Sequence, residues 1–179
     1  MSEIAKNLIG RKFDQICFVV PDLEAAMALW SKTNGVEVWN VAHDLAKAQT
    51  QKEYRGQPGD FQFSCAYGFA GDTLIELARH DGGNSLYKDW IDSRGYGPHH
   101  IGFRQSSAEE YAQAERHYQE QGLEKAMAGF FEGPFGNCRW SYWDTRELIG
   151  FYTELYYVDG ELNERMAALR RGENVSITS

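Results

Sequence analysis

Residues 13–20 read FDQICFVV and residues 98–104 read PHHIGFR, and these two stretches decide the fold. Each stretch has the alternating pattern of a β-strand and is followed by a helix signal. Asp22 can cap the first helix, and Ser106 and Ser107 can cap the second, which runs to residue 121. Two strands that open two similar segments indicate an internal repeat.

The segments that follow the two stretches have the same order of elements. Apolar strand-like runs separated by turn residues predict three further strands in each half. These strands are predicted at residues 36–41, 61–69 and 73–78 in the first half, and at 123–131, 137–143 and 151–158 in the second. The chain therefore contains a β-α-β-β-β unit twice, as one module over residues 13–80 and another over residues 98–158.

Three segments lie outside these two units. A stretch rich in Gly and Asn, residues 81–97, joins the modules and contains a short predicted helix at 85–93. A closing helix is predicted at about residues 161–170. Residues 42–60 are polar and are interpreted as one long loop, which is either a plain surface loop or a lid over a binding site.

Composition excludes several classes of protein. The chain has 179 residues and a net charge of −8, which makes it a poor partner for nucleic acid. No window has the roughly 18 apolar residues that a membrane span requires. The first residues lack a signal-peptide pattern, and the three cysteines indicate reduced core thiols, so a cytoplasmic location is expected.

Aromatic residues are abundant, with 10 Phe, 10 Tyr and 5 Trp. Most are expected in the core, but such an excess also fits an aromatic-lined pocket. Tyr67 and Trp143 are therefore candidate substrate contacts. Arg104 shares the strand face of His100 and is a third candidate, because it can hold a substrate carboxylate; a structural ion pair is the alternative.

Four polar residues are predicted on the face of the sheet that the helices leave uncovered. Strand alternation places Gln15, Glu76, His100 and Glu154 there, at matching positions of the two modules. Burying such groups is costly without a partner, and one divalent cation is the simplest partner. The donor types favour Zn²⁺, Mn²⁺, Co²⁺, Ni²⁺ or Mg²⁺. His99 is the alternative to His100, because alternation alone leaves the register of adjacent histidines ambiguous.

These features resemble the vicinal oxygen chelate superfamily, which includes glyoxalase I, methylmalonyl-CoA epimerase, extradiol dioxygenases and bleomycin-resistance proteins. The stretches that carry the resemblance are FDQICFVVPDLEAAMALW (13–30), TLIELARH (73–80), GYGPHHIGF (95–103) and WDTRELIGFYTELY (143–156). The resemblance implies an α+β fold in which residues 1–179 form a single domain. Its two βαβββ modules would form an eight-stranded, cup-shaped mixed β-sheet with flanking helices.

The resemblance also implies a chemistry. Gln15, Glu76, His100 and Glu154 are similar to the metal ligands of eukaryotic glyoxalase I. The implied function is a metal-dependent isomerase, epimerase or lyase that moves a proton next to a carbonyl of a small or aromatic substrate. Glu154 is the first candidate for the catalytic base and Glu76 the second. A homodimer is expected.

Two other functions remain open at this level. An Fe(II) extradiol dioxygenase needs two histidines and one carboxylate, and Gln15 stands where one of those histidines would be. A non-catalytic binding or resistance protein would use the same cup, with aromatic walls, to sequester a ligand.

Overall fold

The protein is described here by a computed structural model covering residues 5–10 and 12–177, and it has the predicted α+β architecture. Its strands are β1 (Phe13–Val19), β2 (Trp39–Ala42), β3 (Gln49–Tyr54), β4 (Gln57–Pro58), β5 (Gln62–Ala70), β6 (Thr73–Gly82), β7 (Gly97–Gln105), β8 (Lys125–Gly133), β9 (Gly136–Trp143) and β10 (Tyr152–Val158). Its helices are α1 (Leu23–Asn34), α2 (Leu86–Arg94), α3 (Ala108–Glu120), α4 (Arg146–Ile149) and α5 (Gly160–Arg170). A short π-helical turn covers Ala5–Ile9, and a 3₁₀ turn covers Leu45–Ala48.

All ten strands form one mixed, curled sheet in the order β2-β5-β6-β1-β7-β10-β9-β8-β3-β4. The first half contributes β2-β5-β6-β1, and the second half contributes the equivalent β8-β9-β10-β7. Strands β1 and β6 are parallel, as are β7 and β10, while β1 and β7 meet antiparallel at the centre. The internal repeat in the sequence therefore corresponds to a repeat of strand order, and the first and last strand of each half are neighbours.

The predicted count of eight strands was too low by two, and the prediction of one loop over residues 42–60 was wrong. That segment forms the 3₁₀ turn and a hairpin of β3 and β4, and β3 pairs antiparallel with β8 of the other half. Arg55 and Gly56 make the hairpin turn with φ of 50° and 73°. This strand is polar because pairing with β8, rather than burial of apolar side chains, stabilises it.

Helices α1 and α3 begin where the sequence predicts. The Asp22 side chain accepts a hydrogen bond from the Ala25 amide at 3.0 Å, and Ser107 accepts one from Glu110 at 3.1 Å. Both helices pack on the same face of the sheet, α1 through Leu23 and α3 through Tyr111. The opposite, concave face is thereby left to form the inside of the cup.

The concave face is covered mainly by aromatic residues and by elements outside the two modules. Helix α2 places Tyr87 and Trp90 against one part of it. Helix α5 and the segment after it bring Leu162, Met166 and Ile177 against Leu74. In the part of the chain that the structure describes, no helix is both long and apolar enough to span a membrane.

Candidate metal centre and cavity

The four predicted ligands lie on four adjacent strands. Glu76 is on β6, Gln15 on β1, His100 on β7 and Glu154 on β10, which is the order of these strands across the centre of the sheet. All four side chains are buried, and none is more than 6% exposed. The symmetry of the two modules therefore gathers four polar groups from distant parts of the chain.

Their terminal atoms are in direct contact. Gln15 Nε2 donates hydrogen bonds to Glu76 Oε2 at 2.7 Å and to Glu154 Oε2 at 2.8 Å. His100 Nε2 lies 3.2 Å from each of the same two oxygens and 3.1 Å from Gln15 Nε2. The structure thus brings all four predicted ligands into one cluster.

Gly102 makes room for this cluster. It pairs with Gln15 on one side and with Glu154 on the other. A Cβ added at Gly102 would lie 2.8 Å from the Cβ of Gln15, closer than side chains tolerate. A glycine at this point lets the side chains on β1 and β10 approach each other across β7.

A β-bulge decides which of the two adjacent histidines joins the cluster. Cys17 pairs with His100 and the next residue, Phe18, pairs with Pro98, so His99 is an extra residue on β7. Because of this bulge, both imidazoles lie on the concave side instead of on opposite faces. His100 Nε2 faces the carboxylates, whereas His99 contacts His100 through Nδ1 at 2.9 Å.

His100 and the buried Glu154 carboxylate shift each other's pKa values. Burial alone would lower the pKa of His100, but hydrogen bonds and charge from Glu154 and Glu76 raise it to about 9. Burial raises the pKa of Glu154 to about 7, against the opposing effect of His100. The neighbouring carboxylates thus favour the positively charged form of His100.

The donor atoms fit a divalent cation. The 3.2 Å between His100 Nε2 and each carboxylate oxygen falls within the spacing of about 3.0–3.4 Å between neighbouring ligands that each lie about 2.1 Å from one ion, from octahedral to tetrahedral geometry. Gln15 would present its amide oxygen after a rotation of the amide group, which exchanges two nearly isosteric atoms. The residues present therefore suit Zn²⁺ or a similar ion.

One potential ligand was missed by the sequence interpretation, which assigned all three cysteines to the core. The Cys17 thiol forms a buried group with Glu76 and His100, with their ligand atoms within 4.8 Å of one another. The available signal was alternation, since Cys17 lies two residues after Gln15 on the same face of β1. The three cysteines are free thiols, as predicted.

A cavity of about 90 Å³ lies beside the cluster. Its amide and carboxylate lining residues are Gln15, Glu76 and Glu154 of the cluster together with Gln49. Aromatic residues form much of its wall, and residues of α5 and the following segment also line it; the lining includes Phe63, Tyr67, Trp140, Tyr142, Tyr156, Leu162, Met166 and Ile177. Tyr67, a candidate substrate contact from the sequence, lies on the wall of this cavity.

Two other predicted substrate contacts do not line this cavity. Trp143 is fully buried on the helix-covered face, where its ring packs 5.4 Å from that of Tyr118. Alternation along β9 explains this correction, because Trp140 and Tyr142 face the cavity and Trp143 turns away. Arg104 hydrogen-bonds Asn163 of α5 and lines a separate surface cavity.

Known proteins share this fold at low sequence identity. A hypothetical protein from Bacillus halodurans superposes with a TM-score of 0.56 at 19% identity, covering 82% of this chain and 93% of its own. Methylmalonyl-CoA epimerase from Mycobacterium tuberculosis gives 0.53 at 17% identity, covering 88% and 93%. A variant of the Streptomyces coelicolor epimerase, in complex with 2-nitronate-propionyl-CoA, gives 0.50 at 19% identity, covering 82% and 96%.

Sequence comparison assigns the family directly. No curated protein matches the chain significantly. The family profile described as Glyoxalase/Bleomycin resistance protein/Dioxygenase superfamily matches residues 14–142, which span most of the sheet and three of the four clustered residues. Together with the shared fold, this match shows that the chain belongs to the glyoxalase/bleomycin resistance protein/dioxygenase superfamily.

Proposed function

We propose that this protein is a divalent-metal-dependent enzyme that moves a proton at a carbon next to a carbonyl group. The observation that carries the proposal is the buried cluster of Gln15, Glu76, His100 and Glu154, whose terminal atoms lie 2.7–3.2 Å apart beside a cavity. Groups this polar are retained in a core when they coordinate a metal. The homodimer and the cytoplasmic location expected from the sequence belong to the same proposal.

The four residues would hold the ion, and the ion would offset negative charge that develops on a substrate oxygen when the neighbouring C–H is deprotonated. The chain itself must supply the base for that proton. It must also hold the substrate next to the base and keep water away from the reacting carbon.

Glu154 is the better candidate for the base because the two carboxylates are held differently. The Cys65 thiol donates a hydrogen bond to Glu76 Oε1 at 3.1 Å, so Glu76 is fixed through both of its oxygens. Among the described residues, the side-chain contacts of Glu154 go through Oε2 alone. Glu154 Oε1 is therefore available to accept a proton from a substrate in the cavity, and Glu76 serves mainly as a ligand.

The cavity walls favour a small or aromatic carbonyl compound as the substrate. Phe63, Trp140 and Tyr142 present apolar ring surface, and among the described residues the charged side chains that line the cavity with them belong to the cluster. Its volume is below the roughly 150 Å³ of a protein cavity that binds benzene, so an aromatic substrate requires lining residues to move. We propose Tyr67, on the cavity wall, as a substrate contact.

Metal content is the first test. Protein purified without chelator or affinity-tag metal should contain about one equivalent of a divalent metal per chain, and His100→Ala should lose it. Trp143→Phe is a matched control, since it changes a buried ring on the other face of the sheet. A protein that neither contains metal nor binds added Zn²⁺, Mn²⁺, Ni²⁺ or Fe²⁺ would refute the proposal.

Proton transfer is then tested directly in D₂O. The loaded protein should catalyse deuterium incorporation next to the carbonyl in a member of a panel of α-hydroxycarbonyl compounds and acyl thioesters. Glu154→Gln should abolish the exchange while metal remains bound, because the amide cannot accept the proton. Full exchange by this variant would remove Glu154 as the base and turn attention to Glu76.

A second candidate function is supported by the aromatic cavity itself. A binding or resistance protein would use Phe63, Tyr67 and Trp140 to hold an apolar ligand without changing it. Tight binding of an aromatic ligand by metal-free protein, with the ligand recovered unaltered, would favour this function. The extradiol dioxygenase alternative is less well supported, because in the described part of the chain a single histidine, His100, contacts the carboxylates through a ring nitrogen.

A further inference from the structure

We propose that His99 is a positioning residue, which holds His100 in the tautomer and orientation that leave Nε2 free to bind the metal. This inference rests on the proposed function, because it assigns a role to a neighbour of the proposed ligands. It explains why a second imidazole is buried beside the first.

The contact between the two rings sets the direction of a hydrogen bond. His99 Nδ1 and His100 Nδ1 lie 2.9 Å apart, so one of the two nitrogens must carry the hydrogen and the other must accept it. A metal ligand needs a free lone pair on His100 Nε2, which places the hydrogen of the neutral ring on His100 Nδ1. His99 Nδ1 is then the acceptor, and His99 carries its own hydrogen on Nε2.

The surroundings of His99 are mainly aromatic. The residue is fully buried, and the ring centroids of Tyr87, Tyr152 and Trp90 lie 4.9, 5.1 and 5.3 Å from its own. The Leu86 backbone is within reach of the ring as a weak hydrogen-bond partner, while Nε2 has no partner at close hydrogen-bond geometry among the described residues. A phenylalanine would fill this aromatic cage as well, so the imidazole is explained by its polar contacts, of which the 2.9 Å contact of Nδ1 with His100 is well formed.

The backbone supports the same role. The bulge that makes His99 an extra residue on β7 is what turns its ring to the concave side, next to His100. In the described part of the chain, His99 is also the residue whose side chain hydrogen-bonds His100 Nδ1. Removing its nitrogen would let the His100 ring turn away from the carboxylates.

Two substitutions separate positioning from packing. His99→Phe fills the cage but removes the acceptor, whereas His99→Asn places an amide oxygen near the position of Nδ1 but leaves the cage underfilled. We expect His99→Phe to weaken Co²⁺ binding by about 10- to 100-fold with little loss of melting temperature in the metal-free protein. His99→Asn should melt at a lower temperature and yet keep most of the Co²⁺ affinity.

The measurements are a Co²⁺ titration, the visible absorption spectrum of the Co²⁺ protein and the melting temperature of the metal-free protein. Tyr152→Phe is the control. It removes the Tyr152 hydroxyl, which lies in the same cage and has no hydrogen-bond partner among the described residues, without touching His100 Nδ1. It should leave the Co²⁺ affinity and spectrum unchanged. Unaltered affinity and spectrum in His99→Phe would overturn the positioning role, even though the metal site itself stands.

The unaltered protein provides a measurement that does not depend on variants that fold. In the Zn²⁺-loaded protein, ¹⁵N NMR should show the hydrogen of His100 on Nδ1 and that of His99 on Nε2. The opposite tautomers would overturn the inference. A protein that binds neither Co²⁺ nor Zn²⁺ would refute the proposed function, and the role of His99 with it.

Discussion

Replacing Gly102 by alanine should weaken metal binding at the proposed centre by more than the loss of folding stability accounts for. The added Cβ would lie 2.8 Å from the Cβ of Gln15, while ordinary contact begins at 3.4 Å. Strands β7 and β1 must therefore separate locally by about 0.6 Å, because a Cβ cannot rotate away as the end of a side chain can.

That movement is large on the scale of the cluster. Gln15 Nε2 lies 2.8 Å from Glu154 Oε2, which is on the far side of β7, and an added 0.6 Å takes this contact beyond the usual range of about 2.7–3.2 Å for an N–H···O bond. We expect Zn²⁺ affinity to fall at least tenfold, which corresponds to about 1.4 kcal/mol. Overpacking should also lower the free energy of unfolding by about 1–3 kcal/mol.

Gly68→Ala is the matched control. Gly68 is also a strand glycine, and its added Cβ would lie 2.6 Å from Val36 Cγ1, away from the cluster. Denaturant unfolding of the metal-free variants and Zn²⁺ titration against a chromophoric chelator measure the two effects separately. If Gly102→Ala loses as much stability as Gly68→Ala and both variants keep the full Zn²⁺ affinity, then the close approach of β1 and β7 at Gly102 is not needed for metal binding.

Three further predictions concern the surroundings of the cluster. Cys65→Ala removes the hydrogen-bond donor to Glu76 Oε1, so Zn²⁺ affinity should fall severalfold. Cys65→Ser keeps a donor and should retain more of the affinity. Equal Zn²⁺ affinities of the two variants in chelator competition would contradict this prediction. Met166→Ala should cost about 2–5 kcal/mol in denaturant unfolding and enlarge the cavity, which faster binding of a fluorescent aromatic probe would report. Burial lowers the pKa of His80, so the folded state binds fewer protons than the unfolded state below about pH 6.5, and stability should fall as the pH is lowered through that range. His80→Gln should flatten this part of the pH–stability curve, and an unchanged slope would show that other groups cause it.

Local signals in the sequence were enough to predict most of the elements. Asp22 and Ser107 begin helices because each side chain caps its own backbone, an interaction that needs no distant partner. The repeat of Gln15 with His100, and of Glu76 with Glu154, was sufficient to predict the cluster, since strand alternation fixes the face on which a side chain lies.

Features that depend on a distant strand could not be predicted in this way. Strand β3 is polar, and only the free edge of β8 explains why it is a strand. The bulge at His99 is visible only from the pairing of β7 with β1. Alternation along β7 alone therefore could not show that both histidines lie on the same face of the sheet. The cover provided by α5 depends on packing against Leu74 from the other half of the chain.

The short hairpin that ends the sheet has a consequence for how molecules of this protein meet one another. An open sheet edge offers unpaired N–H and C=O groups on which a strand from another molecule can continue the ladder. Here the outermost strand, β4, is only two residues long, and one of them is Pro58, which has no N–H to donate. The hairpin therefore protects β8 from edge-to-edge aggregation. A chain that lacked residues 49–58 would expose the unpaired backbone N–H and C=O groups of the nine-residue strand β8.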